Sequence, residues 1–160
     1  MKIMIATALA ALLLAPAAAE AANRHFSVNG PTPAGNSPPF SGGVMAGNTL
    51  YISGTTDNSN PATVQPSSDI KAGVTAMLDR IKATLAAAGM TMDDLVWVQV
   101  FCSDLKYYGD FNEVYRSYFK GPLPARAFIG AGSLLNNSRF EVMGIAVRSE
   151  AAAKAPAATP

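Results

Sequence analysis

The sequence predicts an α+β domain: one mixed sheet with two helices on a single face, in the order β-β-β-α-β-α-β-β. Three observations predict it. Ile70, Val74, Met77, Leu78, Ile81 and Leu85 recur at helical spacing, and Phe111, Val114, Tyr115, Tyr118 and Phe119 do so again. Residues 95–102 are almost unbroken apolar sequence of strand length, the mark of a strand covered on both faces. Residues 40–46 and 49–55 flank Gly47-Asn48, a two-residue hairpin turn. Two helices cover one face of such a sheet. The chain has nothing left for the other, so a homo-oligomer joined through that face is expected.

Taken in order, residues 1–19 stand apart from the domain. Lys2 gives a positive start, residues 3–14 are apolar, and Ala17-Ala18-Ala19 offers a small-residue cleavage site, the pattern of a secretory signal peptide. The apolar run is shorter than the ~20 residues a spanning helix needs. Cleavage after Ala19 is expected to leave a periplasmic or secreted protein, one domain over residues 20–150, with no hold on the membrane. Removing Lys2 also leaves 11 basic against 11 acidic residues. A neutral chain has no electrostatic grip on nucleic acid or anionic lipid. Residues 151–160 read as a disordered Ala/Pro tail.

Within the domain, residues 25–28 read as a first strand and the Pro-, Gly-, Asn- and Ser-rich residues 30–39 as a loop. After the hairpin, residues 56–68 read as a second loop, ending in Ser67-Ser68-Asp69, good N-cap residues for the first helix. Gly89 closes that helix. In the apolar strand, Val96, Val98, Val100 and Cys102 fall on one face. Leu95, Trp97, Gln99 and Phe101 fall on the other, with Trp97, Gln99 and Phe101 expected to turn towards partner subunits. After the second helix come a strand at Arg126, a turn near Asn136-Asn137, and a last strand over 139–148. There Glu141, Met143, Ile145 and Val147 share a face.

The chemistry is sparse. Cys102 is the only cysteine, which excludes an internal disulfide, and its apolar strand predicts a buried, inert thiol. His25 is the only histidine, so neither a Ser-His-Asp relay nor a histidine-rich metal site is expected. The informative stretch is Gly121-Pro-Leu-Pro-Ala-Arg126-Ala-Phe-Ile-Gly130. Two prolines deny the backbone a helix, and Arg126 then opens a short apolar strand. A guanidinium fixed there presents a planar fork of donors suited to two-point grip on a carboxylate.

Five blocks then carry a resemblance: Gly47-Asn-Thr-Leu-Tyr-Ile-Ser-Gly54, Leu85-Ala-Ala-Ala-Gly89, Asn112-Glu-Val-Tyr115, Pro124-Ala-Arg126, and Glu141 through Arg148. Together they resemble the RidA (YjgF/YER057c/UK114) family over about residues 25–148. The resemblance implies a chorismate-mutase-like fold and a homotrimer with clefts between subunits. It implies hydrolysis of enamines and imines of 2-oxo acids, such as 2-aminoacrylate and 2-iminopropanoate, with no metal or organic cofactor. By the same resemblance Arg126 is the catalytic arginine that binds the substrate carboxylate. Ser53, Gly54 and Asn112 line the cleft, and the backbone carbonyl of Phe128 faces the substrate nitrogen where the family often has cysteine. Phe40 stands where many members have a tyrosine. Met143 stands at the second glutamate of a Glu-x-Glu triplet, the residue that implies water activation. A thioether accepts no proton at neutral pH. Glu141 lies two residues along the strand, about 7 Å away and too far to replace it.

Three functions follow as alternatives. The chain is an imine/enamine deaminase whose site is weakened by Met143, a non-catalytic binder of small carboxylates at an intersubunit cleft, or a trimeric scaffold. Arg126 separates the last from the others, because a scaffold needs no arginine at a cleft.

Overall fold

In the computed structural model, which describes residues 22–27, 38–60 and 65–149, six strands form one sheet. They are β1 (Arg24–Phe26), β2 (Gly43–Ala46), β3 (Thr49–Thr56), β6 (Leu95–Cys102), β7 (Ala125–Gly130) and β8 (Phe140–Val147). Their spatial order is β1-β2-β3-β8-β6-β7. Only β6 and β7 are parallel, joined by α2 (Tyr108–Arg116) as a crossover. The predicted element order is observed for this sheet and its two helices, as is the mixed α+β class. The expected leader over 1–19, the tail over 151–160 and most of the 30–39 loop lie outside the described residues. No helix among the described residues is long and apolar enough to cross a membrane.

Local chemistry accounts for the first helix, α1 (Ile70–Ala87). Asp69 caps it, its carboxylate accepting from the backbone N–H groups of Lys71 and Ala72. At the far end Gly89 takes φ +72°, which only glycine adopts freely. That conformation closes a Schellman motif in which Gly89 N donates to Ala86 O and Met90 N to Leu85 O. The predicted stripe of α1 is buried from Val74 to Leu85 and half-buried at Ile70, with Phe111 and Tyr115 of α2, against Leu50, Ile52, Val98, Val100, Val142 and Ala146 of the sheet. Each such side chain contributes about 1.5–3 kcal/mol. The helices therefore lie on one face, and among the described residues no helix or strand is laid over the other.

Three expectations are corrected. The first concerns β6, where Leu95 is buried with Val98 while Val96 is 48% exposed. Leu95 pairs with Ala146 but Trp97 with Ile145, so Val96 is the extra residue of a β-bulge. Its cause is the side-chain-free Gly144: Leu95 Cδ2 fills that space, 3.0 Å from where a Cβ would stand. Beyond the bulge the predicted faces hold, with Val98, Val100 and Cys102 inward and Trp97, Gln99 and Phe101 on the open side.

The second concerns α2, which ends at Arg116 although the apolar periodicity runs to Phe119. There the carbonyl bonds tighten to three-residue spacing, and the Ser117 hydroxyl donates to Val114 O at 2.7 Å. Third, residues 56–68 are not loop throughout: β4 (Asn58–Asn60) and β5 (Gln65–Pro66) form a small antiparallel pair.

Nothing in the sequence patterns marked Asp57, which is fully buried. Its Oδ1 accepts from the backbone N–H of Arg139 at 2.8 Å and of Phe140 at 3.3 Å. Its Oδ2 pairs with Arg139 Nε at 3.2 Å, and the same guanidinium reaches Ser67 O. Arg80 of α1 binds the carbonyls of Thr56 and Asn58 alongside. The buried carboxylate thus ties the end of β3 to the start of β8, and Arg80 of α1 holds the backbone on either side of it. Removing one member of a buried pair costs about 3–5 kcal/mol. Asp57→Ala is therefore expected to lose about that much in urea unfolding, because it strands Arg139 and two backbone donors. A loss under ~1 kcal/mol would contradict this role.

Candidate functional site

Strand β7 forms one edge of the sheet, and its register with β6 (Val98 beside Arg126, Val100 beside Phe128) turns Arg126 and Phe128 towards α2. The helix meets them with Phe111, Asn112 and Tyr115. Arg126 Nη2 donates to Asn112 Oδ1 at 2.7 Å. The guanidinium lies 4.7 Å from the Tyr115 ring centroid, 5.5 Å from Phe128 and 5.7 Å from Phe111. Ring faces attract the cation and hold its plane. Among the described residues no carboxylate pairs with Arg126.

This guanidinium borders a cleft of about 240 Å³, lined by Asn112, Tyr115, Arg116, Leu123, Pro124 and Arg126. One wall is the segment between α2 and β7. Asp93 pins it, Oδ1 accepting from Lys120 N at 3.0 Å and Gly121 N at 3.3 Å. Tyr115 and Arg116 were not foreseen as cleft residues. Tyr115 read only as core, but Asn112, Tyr115 and Arg116 stand at i, i+3 and i+4, one face of a helix, and that spacing was the available signal. The Tyr115 hydroxyl is buried with no hydrogen-bond partner among the described residues. Burial pushes its pKa up to about 12, against the opposing charge of Arg126.

The other predicted site residues form a second group on the opposite face. Val142 and Gly144 of β8 point into the core, so Glu141 and Met143 point out on the open side. Met143 lies beside Gln99, and Glu141 beside Phe101. Ser53 and Gly54 sit across from them where β3 carries one residue more than β8 between Ile52 and Thr55. The Glu141 carboxylate lies over Gly54, in the space a Cβ there would take, so a side chain at this position would displace it. The Ser53 hydroxyl is turned to Gly42 O at 3.1 Å. Phe40 is 54% exposed, ahead of β2, and stacks on no other ring among the described residues. Within one chain Arg126, Asn112 and Phe128 therefore come together, while Ser53, Gly54 and Met143 gather on the far side of the sheet.

Cys102 is buried, its thiol donating to Asp104 O at 3.0 Å, and burial raises its pKa. It reads as structural. His25 is exposed, with Nδ1 2.9 Å from Ser41 Oγ. Among the described residues no cluster of His, Cys, Asp and Glu is placed to hold a metal.

Residues 32–148 match the family described as Endoribonuclease L-PSP. A RutC family protein of Sulfurisphaera tokodaii is 34% identical over 117 residues, 73% of this chain and 91% of the relative. RidA from an Antarctic Psychrobacter is 30% identical with a TM-score of 0.66, over 78% of this chain and 98% of that one. Escherichia coli TdcF, solved with bound serine, is also 30% identical with a TM-score of 0.66, over 72% of this chain and 92% of its own.

The orphaned Tyr115 hydroxyl makes a testable pair of variants. Tyr115→Phe is expected to unfold at or above the wild-type temperature, because it removes a buried donor that has no protein partner. Tyr115→Ala is expected to cost about 3–5 kcal/mol. Since the folded pKa is raised from 10.0, the wild type should keep this stability below pH 10 and lose it as the pH rises through about 12. Tyr115→Phe should lose less over that window, keeping the similar contribution of Tyr118 and those of the other groups with raised pKa values, Cys102, Lys71 and Lys106. Identical pH profiles, or a marked fall in melting temperature for Tyr115→Phe, would count against it.

Proposed function

This chain belongs to the Endoribonuclease L-PSP family, the RidA/YjgF proteins, and on that premise we propose that it hydrolyses imines of 2-oxo acids. The substrates would be of the 2-iminopropanoate/2-aminoacrylate type. The observation that carries this reading is Arg126: a guanidinium oriented by Asn112 and four rings (Tyr115, Phe128, Phe111 and Tyr108), without a carboxylate among the described residues, at a cleft of small-metabolite size. Its free donors take the substrate carboxylate. The Phe128 carbonyl accepts from the substrate nitrogen. Water adds to C2, and the tetrahedral adduct expels ammonia to leave the 2-oxo acid. Orientation and charge stabilisation lower the barrier even without a resident base. That TdcF is a relative with an amino acid bound supports a ligand of this size.

The proposal extends to assembly. Three copies joined through the open face would bury Trp97, Gln99 and Phe101. They would also bring the Ser53–Gly54–Met143 side of one chain to the Arg126 cleft of the next. Opposite faces of one sheet cannot otherwise serve one substrate. The family description carries the word endoribonuclease. With 11 basic and 11 acidic residues after loss of 1–19, the net charge gives no general attraction to a polyanion, which favours a small ligand over RNA in this reading. Export to the periplasm or medium, and catalysis without a cofactor, belong to the same reading.

Met143 favours a second reading, a binder of small carboxylates that has no hydrolytic base. Catalysis measured on freshly generated 2-iminopropanoate separates the two. Met143→Glu is expected to exceed the wild-type rate at least about tenfold, a general base typically contributing about 10²–10⁴-fold. Arg126→Lys should weaken 2-oxo acid binding in either case, since an ammonium cannot form the two-point fork. No wild-type turnover and no gain in Met143→Glu, with binding intact, would leave the binder. Unchanged binding in Arg126→Lys would overturn both. Light scattering is expected to give three times the mass of the processed chain, and a stable monomer would remove the shared cleft.

A further inference from the structure

The cleft holds a second cation. Arg116 lies in the last turn of α2, four residues after Asn112, whose side-chain oxygen is already bound to Arg126. Residues at that spacing have Cβ atoms about 5–6 Å apart, and helical side chains lean towards the N-terminus over the preceding turn. Arg116 accordingly borders the same volume of about 240 Å³ as Arg126. The lining contains no acidic residue. Glu113 of the same helix is engaged elsewhere, with Lys71 at 2.7 Å. The ion pairs among the described residues include neither Arg116 nor Arg126. A monocarboxylate neutralises one of these charges and leaves the other facing the ligand.

We infer that the preferred ligand is a short dicarboxylate, one carboxylate held by Arg126 and the second by Arg116. This rests on the carboxylate-binding reading above and narrows it to 2-oxo diacids and their imines. Arg126 supplies a rigid, oriented fork and sets the position of the reacting end. Arg116 is exposed on a long side chain, within reach of a second carboxylate two or three carbons away. The remaining lining, Leu123 and Pro124, suits the methylene groups between them. Two charge pairs at one cleft also predict a steeper salt dependence for the diacid than for the monoacid.

Titration calorimetry with 2-oxoglutarate and 2-oxobutanoate as probes tests this. At low ionic strength the wild type is expected to bind 2-oxoglutarate at least about tenfold more tightly, one further charge-assisted contact. The preference should shrink with added salt. Arg116→Gln should bring the two affinities within about twofold of each other. Equal affinities in the wild type, or a preference that persists in Arg116→Gln, overturns the inference. If 2-oxobutanoate binds, is weakened by Arg126→Lys, and shows no diacid preference, the carboxylate site stands and only the diacid assignment falls. If neither acid binds, both fall.

Discussion

The buried carboxylate of Asp57 is the contact on which the geometry of this sheet depends. It ends β3 and, 82 residues later in the chain, receives the first backbone donors of β8 together with the Arg139 guanidinium. Gly73 of α1 packs against it so closely that a side chain there would stand 3.3 Å from Oδ2. A charge taken wholly out of water is tolerated only when such partners satisfy it. Meeting them forces three elements into one register. Once β8 starts at Phe140, its alternation follows: Phe140, Val142, Gly144 and Ala146 go inward, and Glu141 and Met143 go outward. A slip of one residue would bury Glu141 and expose Phe140, so the ion pair and the apolar pattern enforce the same answer.

The second constraint is the one-sided cover of the sheet. Crossover helix α2 is only nine residues long, yet it carries both the core aromatics Phe111 and Tyr115 and the polar Asn112. The packing that stabilises the edge strand β7 is therefore the packing that orients Arg126. Stability and the placement of Arg126 are coupled there, because the rings packed into the core also lie against its guanidinium. On the open side the logic is reversed. Glu141 lies over Gly54, and Met143 is flanked by Gln99 and the β3 bulge, in a surface where Trp97, Phe101 and Ile145 stay half-buried with no helix laid over them among the described residues. The two groups of candidate residues lie on opposite faces of one sheet, which is why the proposed function calls for copies of the chain that complete each other.

Sequence pattern alone determined much of this protein. Helical spacing marked α1, Asp69 and Gly89 its ends, and alternation the face that Met143 shares with Glu141. The RidA-like blocks picked out Arg126 with its partner Asn112. These features are local: capping, periodicity and turn chemistry act within a few residues, where composition is decisive. What only the tertiary structure decided depends on contacts between distant segments. Nothing near Val96 announces a bulge, because its cause is the missing side chain of Gly144 on a neighbouring strand. Nothing near Asp57 distinguishes it from a loop aspartate until Arg139 arrives. Arg116 looks like an ordinary helix-terminal charge until β7 lays Arg126 beside Asn112, and the two faces of the sheet become distinct sites only when strands from both halves of the chain are paired. Such properties are sums over partners brought together by folding, and no window of neighbouring residues contains them.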